Sequence, residues 1–213
     1  MSKNVFWYTG AVTRGRREQQ NGHRGTAVWF TGLSASGKST LAHAAEHRLH
    51  AMGCNAYVLD GDNVRHGLCA DLGFSPADRH ENLRRIGELT RLFVDAGIIA
   101  LAAFISPYRV DRDRIRERIG TNDFVEVYCR CPIEVCESRD PKEVYRKARD
   151  GEIADFTGVS APYEAPVAAD LVIDTDKTSI GASVDLVLSL LQNRRVIASW
   201  DPRHEEPSKH PAD

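Results

Sequence analysis

The 213-residue chain contains no apolar run long enough to span a bilayer, and its first residues lack the basic-then-apolar pattern of a secretory signal. Membrane insertion and export are therefore not expected, and the cytoplasm is the expected compartment. An excess of one charge is missing too. Lys and Arg number 28 against 30 Asp and Glu, so the net charge of -2 gives no global pull toward nucleic acid or an anionic membrane. The cysteines, Cys54, Cys69, Cys129, Cys131 and Cys136, form an odd set without a C-x-x-C pair. In a chain of this size that pattern points to free thiols and away from a disulfide framework. Cys129-x-Cys131 is no better as a metal site, because Cys129 closes an apolar strand pattern and the neighbouring histidines have no ligand spacing. Internal repeats and a domain linker are absent as well. With 42% hydrophobic residues the chain has enough apolar surface for an ordinary globular core.

What is present is more informative. Gly32-Leu33-Ser34-Ala35-Ser36-Gly37-Lys38-Ser39 fits the spacing G-x-x-x-x-G-K-[ST]. It follows the apolar run Ala27-Val28-Trp29-Phe30 and precedes the helix-like Thr40-Leu41-Ala42-His43-Ala44-Ala45. In that context a strand delivers a turn whose backbone N–H groups wrap phosphate oxygens, and a helix begins where its N-terminal dipole favours the anion. Lys38 is expected to reach the β- and γ-phosphates of ATP and the Ser39 hydroxyl to sit on Mg²⁺. Gly32, Ser34, Ala35, Ser36, Gly37 and Thr40 complete this loop as ATP-binding positions.

Around the loop the chain alternates strand and helix patterns. Strands are expected over 26–31, 55–59, 98–105, 124–129 and 171–174. Helices are expected from Lys38 to a stop at Gly53, over 76–96 behind Ser75-Pro76, over 111–119 and over 180–191. The alternation implies an α/β fold, a P-loop NTPase-type parallel β-sheet of about five strands flanked by helices. On the helix 76–96 the apolar stripe is Leu83, Ile86, Leu89, Leu92, Phe93 and Ala96. The charged segment 111–119 reads as a surface helix with Ile115 and Ile119 turned inward. Residues 1–24 read as an N-terminal arm carrying the aromatic patch Val5-Phe6-Trp7-Tyr8, 25–197 as the P-loop domain, and 198–213 as a disordered tail. Between strands four and five, about residues 138–162 gather Arg139, Lys142, Arg146, Lys147 and Arg149 and run too long for a simple connection, which marks a lid.

Ligands collect at the carboxyl ends of parallel strands, and the phosphate loop, Asp60-Gly61-Asp62, Ser106 and the basic lid all fall there. This convergence turns a phosphate-binding motif into a phosphoryl-transfer expectation. Asp62 is the expected base for an acceptor hydroxyl. Asp60, nearer the strand end, is expected to order Mg²⁺-bound water. The plain structural use of the same pair is an Asx-turn closing the strand, and both uses can hold at once. A nucleotide switch is disfavoured: N-K-x-D is absent, and the one D-x-x-G, from Asp155 to Gly158, lies beyond strand four.

The motifs Asp60-Gly61-Asp62-Asn63-Val64-Arg65-His66-Gly67-Leu68, Asp71-Leu72-Gly73-Phe74-Ser75, Asp78-Arg79-His80-Glu81-Asn82-Leu83-Arg84-Arg85, Phe104-Ile105-Ser106-Pro107-Tyr108-Arg109 and Phe156-Thr157-Gly158 follow one another along the chain. In that order they resemble the motif series of the adenylylsulfate (APS) kinases, over about residues 12–191 and including Asn21-Gly22-His23-Arg24. The resemblance implies ATP-dependent, Mg²⁺-assisted phosphorylation of the 3′-hydroxyl of adenosine 5′-phosphosulfate, giving 3′-phosphoadenylyl sulfate (PAPS) and ADP. It supports Asp62 as the base and implies Arg65, Arg79 and Asn82 as contacts to the phosphosulfate. A delocalised dianion suits the paired hydrogen bonds of guanidinium groups. It also implies Phe74 and Phe156 as an adenine sandwich, and Lys142 and the Ile105 backbone as further substrate contacts. Arg139 and Thr178 are added on the ATP side, while Arg84 keeps the reading of a solvated helix face. Some family members have been discussed as forming a phosphoserine at the position of Ser106. No activating base adjoins it here, so Ser106 is expected to serve as a substrate-loop residue. A homodimer and association with an ATP sulfurylase are further expectations. Two departures stand out, Ala35 and Glu143, each where the family usually has glycine, and the second is expected to stiffen the lid.

Overall fold

The computed structural model describes residues 6, 8, 10–140 and 142–198. Its elements are α1 (Arg14–Asn21), β1 (Thr26–Thr31), α2 (Lys38–Ala51), β2 (Ala56–Asp60), α3 (Pro76–Asp95), β3 (Ile99–Ala103), α4 (Arg109–Ile119), β4 (Phe124–Arg130), α5 (Ile133–Arg139), α6 (Val144–Arg149), β5 (Leu171–Asp174) and α7 (Ile180–Asn193). The strands form one all-parallel sheet in the order β2-β3-β1-β4-β5. β1 is central and buried at every position, as a strand covered on both faces must be. Its side chains alternate between two cores. Val28 and Phe30 pack with Leu41 and Leu49 of α2 and Val187 and Leu188 of α7, whereas Ala27 and Trp29 pack with Leu83 and Ile86 of α3 and Ile115 of α4. The chain passes from β3 to β4 across β1, so the crevice of the sheet opens at the carboxyl end of β1, where the phosphate loop begins.

The boundaries follow local chemistry. The Ser75 hydroxyl accepts from the Asp78 N–H and Pro76 opens α3, while Gly97, with φ 80°, carries the chain out of it. Leu92 departs from the expected stripe and is 52% exposed, and its place in the core is taken by Val94. Within the expected arm, residues 14–21 are helical and anchored to the domain. Arg14 donates a pair of hydrogen bonds to Asp123 (2.6 and 2.8 Å), and the Asn21 amide donates to Gly97 O. Phe6 and Tyr8 are exposed; Val5, Trp7 and the tail 199–213 lie outside the described residues. The segment 111–119 is not wholly a surface helix, since Asp111 and Arg112 are buried with Ile115. All five cysteines are free thiols. No described helix is long and apolar enough to cross a membrane.

Gly25 sits where β1 enters the sheet. A Cβ there would lie 2.2 Å from Val94 O and 3.1 Å from the Gly97 Cα, both backbone atoms that cannot rotate away. Gly25→Ala is therefore expected to cost about 1–3 kcal/mol of stability by overpacking. Urea unfolding measures it, and an unchanged midpoint would show that this strand entry is loosely packed.

Candidate active site

The phosphate loop owes its shape to backbone positions that only small residues fill easily. Gly32 has φ 153°, and a Cβ on it would lie 2.6 Å from Cys129 O at the end of β4. Gly37 has φ 89° at the start of α2. Ala35, one of the two departures from the family's glycines, also sits in the left-handed region at φ 56°. Lys38 is buried, and its Nζ donates to Leu33 O at 2.6 Å, folding back over its own loop. Burial pushes its pKa down to about 8, against the opposing influence of Cys129, Cys136, Asp60 and Asp62. The Ser39 hydroxyl donates to Asp60 Oδ2 at 2.6 Å. Desolvation works to raise the Asp60 pKa, but the Ser39 hydroxyl, the N–H groups of Asp62 and Asn63 and the nearby Lys142 charge outweigh it and hold the carboxyl below its ordinary value. The Asx-turn is thus present, built by Asp60, whose Oδ1 accepts from Asp62 N at 2.9 Å.

Asp62 is solvent-exposed and pairs with Lys142 from the lid. Beyond it, Arg65 donates to Leu72 O and Gly73 O and lies over the Phe74 ring, 4.2 Å from its centroid. Arg79 donates to Phe74 O (2.8 Å), the Thr157 hydroxyl (2.7 Å) and Asp155 O (2.6 Å), so it ties α3 to the lid. Asn82 is buried on the same helix, and its Oδ1 has no hydrogen-bond partner. Arg84 pairs with Glu81 on the exposed face, as a solvated helix residue does.

The lid is more ordered than a loop. Its helix α6 is seeded by the Asp140 carboxylate, which accepts from the N–H groups of Val144, Tyr145 and Arg146 (2.9, 2.9 and 3.3 Å). Glu143, the second departure, adopts φ 54° just before α6. Tyr145 is buried, donates its hydroxyl to Ser34 O in the phosphate loop at 3.0 Å and packs edge-on against Phe156. Arg139 donates to Thr175 O, and the Thr175 hydroxyl donates to Ser36 O.

The phosphate loop, the ends of β2 and β3 and part of the lid line one cleft of about 760 Å³. It brings together Ser34, Ala35, Gly37, Lys38, Ser39, Thr40, Arg139 and Thr178 on the nucleotide side with Asp60, Asp62, Arg65, Phe74, Arg79, Asn82, Ile105, Ser106, Lys142 and Phe156 on the other. Two expected ATP-binding positions are not in its lining. Gly32 lies at the strand end, and the buried Ser36 points its hydroxyl inward with no partner. A larger cleft of about 970 Å³ lies between α3 and α4, but it contains no part of the phosphate loop and no strand end. Ser106, expected as a substrate-loop residue, lies in the loop that borders the cleft. It is 2% exposed, accepts from Trp29 Nε1 (3.1 Å) and donates to the Thr31 hydroxyl (3.0 Å), so its side chain faces the sheet. Sequence reasoning missed Tyr145, Thr175 and the Trp29–Thr31 partners. Only the aromatic in a basic lid run offered any signal.

A parallel sheet with a phosphate loop, a buried loop lysine and an acidic strand end two strands away defines a P-loop kinase. Comparison with known proteins narrows the class: the adenylylsulphate kinase profile matches residues 24–174. The adenylyl-sulfate kinase of Acaryochloris marina is 55% identical over 196 residues, covering 92% of this chain and 96% of the relative. A solved APS kinase CysC of Mycobacterium tuberculosis, in complex with AMPPNP and APS, is 48% identical with a TM-score of 0.77 and covers 80% of this chain and 99% of its own. The hexameric APS kinase from Thiobacillus denitrificans is 32% identical with a TM-score of 0.62, covering 86% of this chain and 32% of that one. The chain belongs to the adenylylsulfate kinase family and is an enzyme, a kinase.

Two outcomes follow from the geometry. Lys38 is cationic below about pH 8 and loses its proton above it, so kcat/KM for ATP is expected to fall about tenfold per unit once pH passes about 8. A flat profile up to pH 9.5 would contradict this placement of Lys38. Because the Ser106 hydroxyl is turned into the sheet, Ser106→Ala is expected to keep kcat within about tenfold of wild type, whereas loss of a covalent relay would cost several orders of magnitude. Steady-state turnover distinguishes the two, and a trapped phosphoserine with loss of turnover in the variant would overturn the account.

Proposed function

We propose that the protein transfers the γ-phosphoryl group of ATP to the 3′-hydroxyl of adenosine 5′-phosphosulfate, releasing ADP and 3′-phosphoadenylyl sulfate. One observation carries the reading: the phosphate loop faces a second wall in the same cleft where two arginines, two phenylalanines and an aspartate converge. The wall suits an acceptor that is both aromatic and strongly anionic. Arg65 and Arg79 meet the phosphosulfate oxygens with paired hydrogen bonds. Phe74, 63% exposed beneath Arg65, stacks on one face of the adenine and Phe156 on the other. Asn82, on the same wall, donates its amide N–H to the phosphosulfate, and the Ile105 backbone supplies the remaining contact.

The chemistry assigns each group a movement. Lys38 exchanges Leu33 O for phosphate oxygens. Asp62 leaves Lys142 and takes the proton of the 3′-hydroxyl as that oxygen bonds to the γ-phosphorus and the bond to the ADP oxygen breaks. Lys142, freed of its carboxylate, turns to substrate. Ser39 and Asp60 present oxygen donors only, 2.6 Å apart, which suits a hard cation. Ser39 would hold Mg²⁺ directly and Asp60 through a water, and the ion, when bound, neutralises charge on the phosphates. The same reading places the enzyme in the cytoplasm, in sulfate activation, as a homodimer associated with an ATP sulfurylase that supplies its substrate. The exposed Phe6 and Tyr8 support contact with a second copy.

The test uses purified protein, Mg-ATP and a panel of acceptors, with ADP release followed. Release is expected only with adenosine phosphosulfate, and a preference for an uncharged nucleoside or a sugar acid would sink the proposal. Asp62→Ala is expected to lower kcat by about 10²–10⁴ while leaving ATP-analogue affinity within about twofold. Loss of nucleotide binding instead would mean that Asp62 serves metal or structure.

A further inference from the structure

The loop 105–107 that ends β3 holds an unusual conformation. Ser106, a residue with a Cβ, has φ 41°, in the left-handed region that favours glycine. Such a conformation persists only where surrounding contacts over-determine it, and the contacts are identifiable. The buried Arg112 of α4 donates Nη1 to Ser106 O (2.6 Å), Nη2 to Glu164 O (2.7 Å) and Nε to Glu126 Oε1 on β4 (2.7 Å). Arg112 is 3% exposed and Glu126 is 7% exposed. One planar fork thus joins the acceptor loop, the chain returning from the lid and the central sheet. From the other side, Thr31 donates its hydroxyl to Ile105 O (2.8 Å), with the Tyr163 hydroxyl 3.0 Å away.

We propose that Arg112 is a positioning residue for the acceptor: it holds Ser106 in its left-handed conformation and so aims the Ile105 backbone into the cleft. It is not among the residues that line the cleft. The inference rests on the proposed acceptor reading, because Ile105 matters only if the acceptor lies against it. Several features favour positioning over plain stability. A surface-derived helix residue is fully buried, its fork spans three separate chain segments, and the strained residue it grips borders the cleft. A buried Arg–Glu pair with no positional duty is often no more stabilising than apolar residues of the same volume.

Arg112→Lys keeps a cation beside Glu126 but cannot reach three acceptors in one plane. The expected result is a rise of about tenfold or more in KM for adenosine phosphosulfate, with KM for ATP within about twofold. Glu126→Gln serves as the companion variant. It keeps an acceptor for Arg112 Nε while removing the charge that Glu126 presents to both Arg112 and Arg116, so the melting temperature is expected to fall with little change in acceptor KM. Trp29, whose Nε1 donates to Ser106, reports the loop directly once Trp7 and Trp200 are replaced by Phe. Arg112→Lys is expected to shift its emission, and Glu126→Gln is not. Equal rises in both KM values, an acceptor KM that rises as much in Glu126→Gln, or unchanged Trp29 emission in Arg112→Lys would each overturn the inference. Failure of the underlying reading looks different, since the unsubstituted protein would then show no ADP release with adenosine phosphosulfate while Trp29 still reported on the clamp.

Discussion

A buried ammonium group at the mouth of a parallel sheet is the constraint on which the rest depends. Lys38 is 8% exposed, and its Nζ hydrogen bond goes to a backbone carbonyl of its own loop. A desolvated cation held this way favours an anion beside it, and the same burial pushes its pKa down. That preference explains the neighbourhood. Glycines at 32 and 37 let the backbone close around the loop, β4 comes close enough to exclude a Cβ at position 32, and Ser39 and Asp60 face each other across two strand ends. The central place of β1 puts this charge in the crevice between the two wings of the sheet.

The same economy governs the acceptor wall. Its charged side chains are paired within the protein, Arg79 with the lid backbone and Thr157, Arg65 with Leu72 and Gly73, and Asp62 with Lys142, while the buried Asn82 Oδ1 has no partner. On the proposed reading, substrate binding is an exchange of partners at these charged groups, which spares the free enzyme buried, unpaired donors. Tyr145 adds a mechanical link, since it joins the phosphate loop to Phe156 on the acceptor side. The phosphate loop and the proposed acceptor wall therefore share one lid.

Much of this was legible in the sequence, because strands in a two-faced sheet are apolar runs and the loop motif has fixed spacing. β1, β5 and the start of α3 follow directly from those signals. Failures came where long-range partners decide the structure. α1 is almost wholly polar, so no periodicity revealed it; its docking depends on Arg14 finding Asp123 more than a hundred residues away. Arg112 sits in a run of charges that reads as solvent-facing, and only Glu126 and two carbonyls from elsewhere bring it inside. The lid helices depend on Asp140 acting as a cap, while Ala35, Ser106 and Glu143 take left-handed conformations that residue type alone argues against. Within the site, residue types suggested which side chains would converge, but not that the Ser106 hydroxyl would turn toward Trp29.

The central claim is that Asp62 stands between a donor held by Lys38 and an acceptor stacked on Phe74 and Phe156. A crystal structure of this chain with a non-hydrolysable ATP analogue and adenosine 5′-phosphosulfate tests it most directly. The account predicts adenine between the two phenylalanine rings and the 3′-oxygen within about 3.2 Å of the Asp62 carboxylate, facing the γ-phosphate. Adenine bound outside the Phe74–Phe156 pair, or a 3′-oxygen remote from an Asp62 still paired with Lys142, would contradict it.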